Sequence, residues 1–280
     1  MKNKERNLMI IRYIVIILLA LLFVIPFVWM IISSVKSPLK VFTKPIQWIP
    51  DEFHWENYKR LFQEYHFERY IWNTVKLCLL NVIGTVVSCS TVAYAFAFSR
   101  YRKKNKIFFL VLATMMLPGT VTFFPQFILF AKIGWYGTML PLWVPSFFGS
   151  AYYIFFLRQY FLTVPTAMID AARIDGCGEL RILLRIVAPM AKPVYVVIIL
   201  NTFVGVWSDF FNQLIYITRS ENHTVSMGLS YLNSSYGSTN NSTLPILMAG
   251  SFIVSIPVLL IYYCGQKTML KTYVFKDAEK

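Results

Sequence analysis

The chain has 280 residues, 57% of them hydrophobic and only 14% charged, and it carries a formal net charge of +14. Water-soluble domains hold about a quarter charged residues, so the composition excludes a soluble globular fold and asks for lipid. The positive charge invites a nucleic-acid reading, but it is dealt out between hydrophobic runs rather than gathered into one patch, and no nucleic-acid partner is expected. A membrane-crossing helix needs about twenty apolar residues. Six segments qualify, at 11–33, 72–98, 107–130, 141–161, 194–217 and 245–265. The expectation is an all-α, polytopic membrane protein of six transmembrane helices, a single domain over 1–280 with core spans from 72 to 265.

In chain order, the first run is too long for the apolar part of a cleavable leader. No small-x-small cleavage site follows Ile31-Ile32-Ser33-Ser34, so it reads as a retained span. Pro26 inside it is tolerable in lipid. A segment of mixed charge and aromatic content follows, from 36 to 70. Span two is rich in small and polar residues (Asn81, Gly84, Thr85, Ser88, Ser90, Thr91, Ala93), which let helices pack closely or line a polar passage. Span three carries Pro118-Gly119 and Pro125 and is expected to break or kink in mid-membrane, where broken helices line cavities. Span five contains Asp209, the one acid inside a span. An ionisable group there is costly and faces an interior or water. Tyr231, Tyr236 and the polar run 233–242 read as a loop.

Charge sets the orientation. If the N-terminus is cytoplasmic, the inner segments hold 18 of the 27 basic residues, and the outer ones are offset by Asp51, Glu52, Glu56, Glu64, Glu68 and Glu221. That bias places both termini, 100–106 and 163–192 inside, and 36–70 and 219–244 outside. His54, His66 and His223 stand apart, and Cys78, Cys89, Cys177 and Cys264 lack ligand spacing, so no metal site is expected. There is no Gly-x-x-x-x-Gly-Lys-Ser/Thr phosphate loop, no catalytic cluster and no cofactor signature. The chain reads as a transport subunit rather than an enzyme.

The polar loop at 163–193 carries the most specific pattern. Pro165 suits a helix start, with Thr163 or Thr166 available as a capping hydroxyl, and Gly176 suits its end. Between them, Ala171 and Ala172 permit close approach of another protein, while Asp170, Arg173 and Asp175 offer charges to it. Leu180, Leu183, Leu184 and Val187 then mark one apolar face of a second helical run, with Arg181 and Arg185 on another. Pro189 and Pro193 close it.

Acid-Ala-Ala, three residues, Gly, nine residues, Ile-x-x-Pro resembles the "EAA" loop of permease subunits in bacterial ATP-binding-cassette importers. Asp170 stands for the usual Glu and Ala188 for the usual Leu. Trp48-Ile-Pro, Trp55-Glu-Asn-Tyr58, Lys132-Ile-Gly134, Phe156-Leu-Arg-Gln-Tyr-Phe161, Val206-Trp-Ser-Asp-Phe-Phe211 and Ser255-Ile-Pro257 continue the likeness along nearly the whole chain. The chain is most similar to the carbohydrate-uptake type, in particular the maltose-type second permease subunit. It departs from that type in its Gly-free tail from Gln266.

The resemblance implies a coupling helix around Asp170, Ala171, Ala172, Arg173, Asp175 and Gly176, followed by Pro189 and Lys192, which docks in a cleft of a separate ATPase. It further implies two copies of that ATPase, a second homologous permease forming a heterodimer, an external solute-binding protein, and surrounding membrane lipid. ATP binds to the partners, and the solute is a carbohydrate, an oligosaccharide above all. Trp207, Ser208, Asp209 and Asn212 are the candidates for the substrate pathway, against a purely structural polar contact between helices. An amino-acid or phosphate permease of the same class and an ion-coupled secondary transporter are the alternatives. The second of these sits poorly with a single intramembrane acid and no evident repeat.

Overall fold

The computed structural model describes residues 2–43, 45, 47–238 and 243–277, and all regular structure among them is helical. The elements in order are α1 (Lys2–Ser34), α2 (Glu56–Gln63), α3 (Phe67–Phe98), α4 (Lys104–Ala113), α5 (Gly119–Lys132), α6 (Leu140–Trp143), α7 (Ala151–Phe161), α8 (Thr166–Ile174), α9 (Glu179–Ile182), α10 (Ala188–Met190), α11 (Lys192–Trp207), α12 (Phe211–Tyr216), α13 (Val225–Ser238) and α14 (Leu244–Asp277). Four of the described helical stretches are long and apolar enough to cross a membrane: Arg6–Ser34, Phe67–Phe98, Leu140–Phe161 and Leu244–Lys267. Two further bent pairs, Lys104–Met116 with Gly119–Lys132 and Glu179–Met190 with Lys192–Trp207, bring the number to six if each counts as one span.

The chain divides into two compact units, Met1–Glu68 with Gly228–Pro257, and Arg69–Met227 with Val258–Lys280. In the first, α1 leaves its apolar side chains from Leu8 to Ile25 exposed, the surface that a helix presents to lipid. Its C-terminal carbonyls are capped by a side chain from α2: Asn57 Nδ2 donates to Ser34 O at 2.9 Å and to Lys36 O at 3.0 Å. Lys36 is itself buried, donating to Gln47 O and lying 4.7 Å above the Trp29 ring, and desolvation lowers its pKa.

The second unit holds the larger core. Tyr94 and Phe98 of α3, Ile154, Leu157 and Phe161 of α7, Ile169 of α8 and Ile198 of α11 are buried together. The polar residues of α3 serve packing: Asn81 Nδ2 reaches Leu142 O at 2.9 Å and Ser88 Oγ reaches Ser146 O at 2.9 Å. These bonds satisfy a carbonyl of α6 and one of the turn between α6 and α7. Gly84 is required there, because a Cβ on it would lie 2.3 Å from Ser146 Oγ and 2.6 Å from the Phe147 ring.

The first bent pair has a local cause. Pro118 forces the preceding Leu117 out of helical geometry, to ψ 119, and α4 and α5 meet at 97°. Pro125 lies within α5 without breaking it. The expected span 194–217 is not one helix. α11 stops at Trp207, after 16 residues or about 24 Å, and α12 begins at Phe211. Asp209 therefore sits in a break, where its charge does not have to be carried along a continuous apolar helix. The break is satisfied internally, as lipid requires. Gln213 Nε2 donates to Val206 O at 3.2 Å, and Ser226 Oγ donates to Trp207 O at 3.1 Å. Thr224 Oγ1 donates in turn to Gln213 Oε1.

One further expectation needs correction. The polar run 233–242 is helical as far as Ser238, in α13, and 239–242 lie outside the described residues. The tail from Gln266 continues α14 to Asp277, because nothing in it stops a helix, and 278–280 lie outside the described residues.

Gln213 is 1% exposed. Replacing it with Leu strands a buried hydroxyl and weakens the cap on α11, so Gln213→Leu is expected to cost about 1–3 kcal/mol. Thermal unfolding in detergent checks this, and an unchanged midpoint would show that the break does not depend on Gln213.

Candidate functional site

Helix α8 begins after Pro165, which occupies the N-cap, and no side chain caps it. The expected hydroxyl cap does not form: Thr163 Oγ1 donates back to Tyr160 O at 2.7 Å and so finishes α7 instead. At the other end Gly176 adopts φ 77, with Gly176 N on Arg173 O at 3.1 Å and Cys177 N on Ala172 O at 2.9 Å. These two bonds make a Schellman stop, which favours glycine at the left-handed position. The space around Gly176 is open, so only the backbone angle constrains the residue.

One face of α8 is spent on the fold. Ile169 and Ala172 are buried in the chain's own core, so of the two alanines only Ala171 is left for a partner to approach. Asp170, Ala171, Ile174 and Asp175 are exposed, Ile174 to 86%. Arg173 is likewise turned inward. Its Nε lies 2.8 Å from Glu179 Oε1, its Nη2 3.2 Å from Glu179 Oε2 and 3.4 Å from Phe98 O, and its Nη1 3.2 Å from Asp170 Oδ1. Tyr94 Oη donates to Glu179 Oε2 at 2.5 Å. The paired guanidinium holds the Glu179 carboxyl below its ordinary value, and Glu179 in turn raises Arg173. Sequence reading passed over Glu179 and Tyr94. Glu179 was visible as the acid opening the second helical run, but its partner lies on α3, far off in the chain.

That second run widens into a π turn over Leu183–Val187, where Pro189 withdraws the N–H that Arg185 O would otherwise accept. The expected apolar face is split as a result. Leu183 and Val187 are buried, while Leu180 and Leu184 stand exposed beside Arg181 and Arg185 along a shallow groove. Pro189 and Lys192 are exposed at the turn into α11.

The four pathway candidates separate. Trp207 is 2% exposed and stacked on Phe203 at 5.3 Å, so it packs rather than lines. Ser208 and Asn212 are exposed and Asp209 is half-buried. Asp209 accepts from Asn212 N at 3.2 Å and from Asn212 Nδ2 at 3.0 Å, which opens α12. Beside Asn212 lies a cavity of about 430 Å³ lined by Gly119, Thr120, Phe123, Phe124, Phe211 and Asn212. It joins the start of α5 to the start of α12, each of which follows a break in the helix before it. Sequence reading flagged Pro118-Gly119 but missed the rings that follow within a turn of it.

An all-helical membrane fold with two broken spans meeting at a cavity, and a side loop ending in an exposed short helix, is the build of a solute-transport subunit. Residues 90–269 match the family of binding-protein-dependent transport system inner membrane components. The chain belongs to that family, a family of transport subunits and not of enzymes. It is 32% identical to the arabinooligosaccharides transport system permease protein of Bacillus subtilis, over 89% of this chain and 88% of that one. It is 26% identical to the lactose transport system permease protein of Rhizobium radiobacter, over 94% and 93%. With the sn-glycerol-3-phosphate transport system permease protein of Yersinia enterocolitica it shares 25% over the full length of both. A subunit in the crystal structure of a bacterial ABC transporter that imports the acidic polysaccharide alginate has the same fold, with a TM-score of 0.83 at 21% identity over 94% of this chain and 97% of that one.

Gly176→Val forces a branched side chain into the left-handed region, at about 1–2 kcal/mol. Amide exchange at 172–177 is expected to speed up in that variant and to stay near normal in Gly176→Asn. Equal protection in both would refute the backbone argument. Because Glu179 is depressed in the folded chain, its tie to Arg173 is intact above the ordinary carboxyl value of 4.5 and is lost only as pH falls through the lower folded value. Exchange in α8 is therefore expected to be flat from neutral pH down to about that ordinary value, after allowance for the intrinsic rate, and to rise below it.

Proposed function

We propose that this chain forms one half of the channel of an ATP-driven importer for a neutral carbohydrate, an oligosaccharide foremost. Both termini and the 163–193 loop lie in the cytoplasm, as the basic bias demands. A binding protein delivers solute from outside to this subunit and a second permease, and two ATPase subunits close on ATP. The exposed face of α8, with Asp170, Ala171, Ile174 and Asp175, seats in the ATPase, and its displacement opens the channel outward. Hydrolysis resets it. No bond-breaking step belongs to this chain.

The observation that carries the solute class is the cavity at the broken spans. Phe123 and Phe211 stand with ring centroids 5.4 Å apart there, and Thr120 and Asn212 supply hydroxyl and amide groups. Ring faces with a few hydrogen-bonding groups suit the CH faces and hydroxyls of a sugar. The lining has no basic residue and Asp209 is close by, which disfavours a phosphate or a uronate.

Reconstituted with its partner permease, ATPase and binding protein, the complex is expected to hydrolyse ATP faster when the binding protein is loaded with a neutral oligosaccharide. Stimulation by an amino acid or phosphate and by no sugar would sink the solute class. Asp209→Asn keeps an acceptor for Asn212, so the complex should assemble while the uptake KM shifts about three- to ten-fold, the scale of one hydrogen bond. Lost yield with an unchanged KM would make Asp209 structural. For topology, an impermeant maleimide should label Glu221→Cys from outside and miss Arg102→Cys, and the reverse pattern would invert the orientation.

A further inference from the structure

The joint between α8 and the end of α3 is only partly closed by packing. A cavity of about 620 Å³ lies there, lined by Tyr94, Ala95, Phe98, Ser99, Arg100, Arg173 and Glu179. Ile169 and Ala172 hold one side of α8 in the core that Ala97 and Phe98 of α3 share, and the cavity lies beside that contact. What spans the gap is polar: Arg173 on α8, both oxygens of Glu179, and the Tyr94 hydroxyl on α3. Arg173 also reaches back to Phe98 O, the last carbonyl of α3.

Apolar contacts are non-directional and let a short helix slide, whereas a bidentate guanidinium–carboxylate pair fixes both distance and angle. The helix has only nine residues, so an unrestrained joint would let it tilt without moving its neighbour. Arg173 is three-quarters covered and Tyr94 is buried, while the Glu179 side chain is 58% exposed, so only the Arg173 and Tyr94 ends of the tether are shielded from water and salt.

We propose that Glu179 and Tyr94 are positioning residues for energy coupling: with Arg173 they tether α8 to α3 across the cavity, so that a displacement of α8 is delivered to the long span instead of being absorbed as tilt. This rests on the reading of α8 as the ATPase-docking helix. Asp170 completes the arrangement, since it holds the far side of the Arg173 guanidinium and lies 4.0 Å from Arg100. A docked partner that competes for Asp170 therefore acts on the tether directly.

The distances are read in the assembled complex with ATP and vanadate, and uptake per ATP is read without vanadate, with a neutral oligosaccharide on the binding protein. Nitroxides replace exposed Ala167 on α8 and exposed Arg102 beyond α3, in a background without the four native cysteines. The otherwise unaltered chain should give one narrow distance distribution, unmoved by nucleotide. Tyr94→Phe, which removes a single oxygen, and Glu179→Ala should each broaden it about two-fold when nucleotide is added, and Glu179→Gln should fall between. Uptake per ATP hydrolysed should fall in the same order, by about two- to thirty-fold. Equal widths and equal uptake per ATP in all four proteins would overturn the tether while leaving docking intact. Docking is read separately by cross-linking Ala171→Cys to the ATPase subunit, and its absence would remove the docking reading and the tether with it.

Discussion

A helix may stop inside a membrane only if the chain itself satisfies the carbonyls that the missing turn leaves bare, and the second unit of this protein is organised around that demand. At the end of α11 the donors are Gln213 and Ser226, which reach Val206 O and Trp207 O from α12 and α13. Asn73 of α3 holds the connecting segment by donating to Glu221 O and His223 O at 2.8 and 2.9 Å. Asn81 and Ser88 do the same for α6 and the turn between α6 and α7. The donors on α3 are polar side chains in an apolar span, which composition alone would count as a cost. Here each offsets the larger cost of an orphaned backbone group.

The breaks have a consequence for chemistry. A continuous helix presents side chains to lipid or to its neighbours, whereas a broken one turns its ends inward. The starts of α5 and α12 are such ends, and between them they frame an aromatic cavity with hydroxyl and amide groups at its edge. Asp209 is tolerated because it lies in a break and is bonded to Asn212. The same carboxylate in mid-helix would carry its full desolvation cost.

The loop from 163 to 193 divides its residues between two duties. Ile169, Ala172, Leu183 and Val187 belong to the core, and Arg173 is engaged by Glu179 and Asp170. The outward residues include Asp170, Ala171, Ile174 and Asp175 on α8, then Leu180, Leu184, Arg181 and Arg185 beyond the Schellman turn. A partner would meet a short rigid helix with mixed apolar and charged character. The rigidity is built in by Gly176 at one end and the guanidinium–carboxylate pair at the side.

The number and approximate place of the spans were legible in the sequence, because lipid imposes about twenty apolar residues on every crossing and the run lengths record it. So was the break at Pro118, where the cause is covalent and local, and the stop at Gly176, where the residue type answers a backbone angle. The spacing of the loop, from Asp170 to Pro189, was enough to indicate its class. Span five was misread because Ser208, Asp209 and Phe210 contain no breaker; the helix ends there only because Gln213 and Ser226 arrive from later in the chain to satisfy it. The hydroxyl cap on α8 failed because Thr163 had a nearer acceptor in α7. Trp207 and Ala172 looked available and are buried, and Glu179 looked incidental and is central. Periodicity says that a residue has a face, but which face is covered depends on what packs there, and Tyr94 lies 85 residues from Glu179 in the chain. Local covalent and solvent constraints were thus fixed residue by residue, while every pairing between distant elements awaited the tertiary fold.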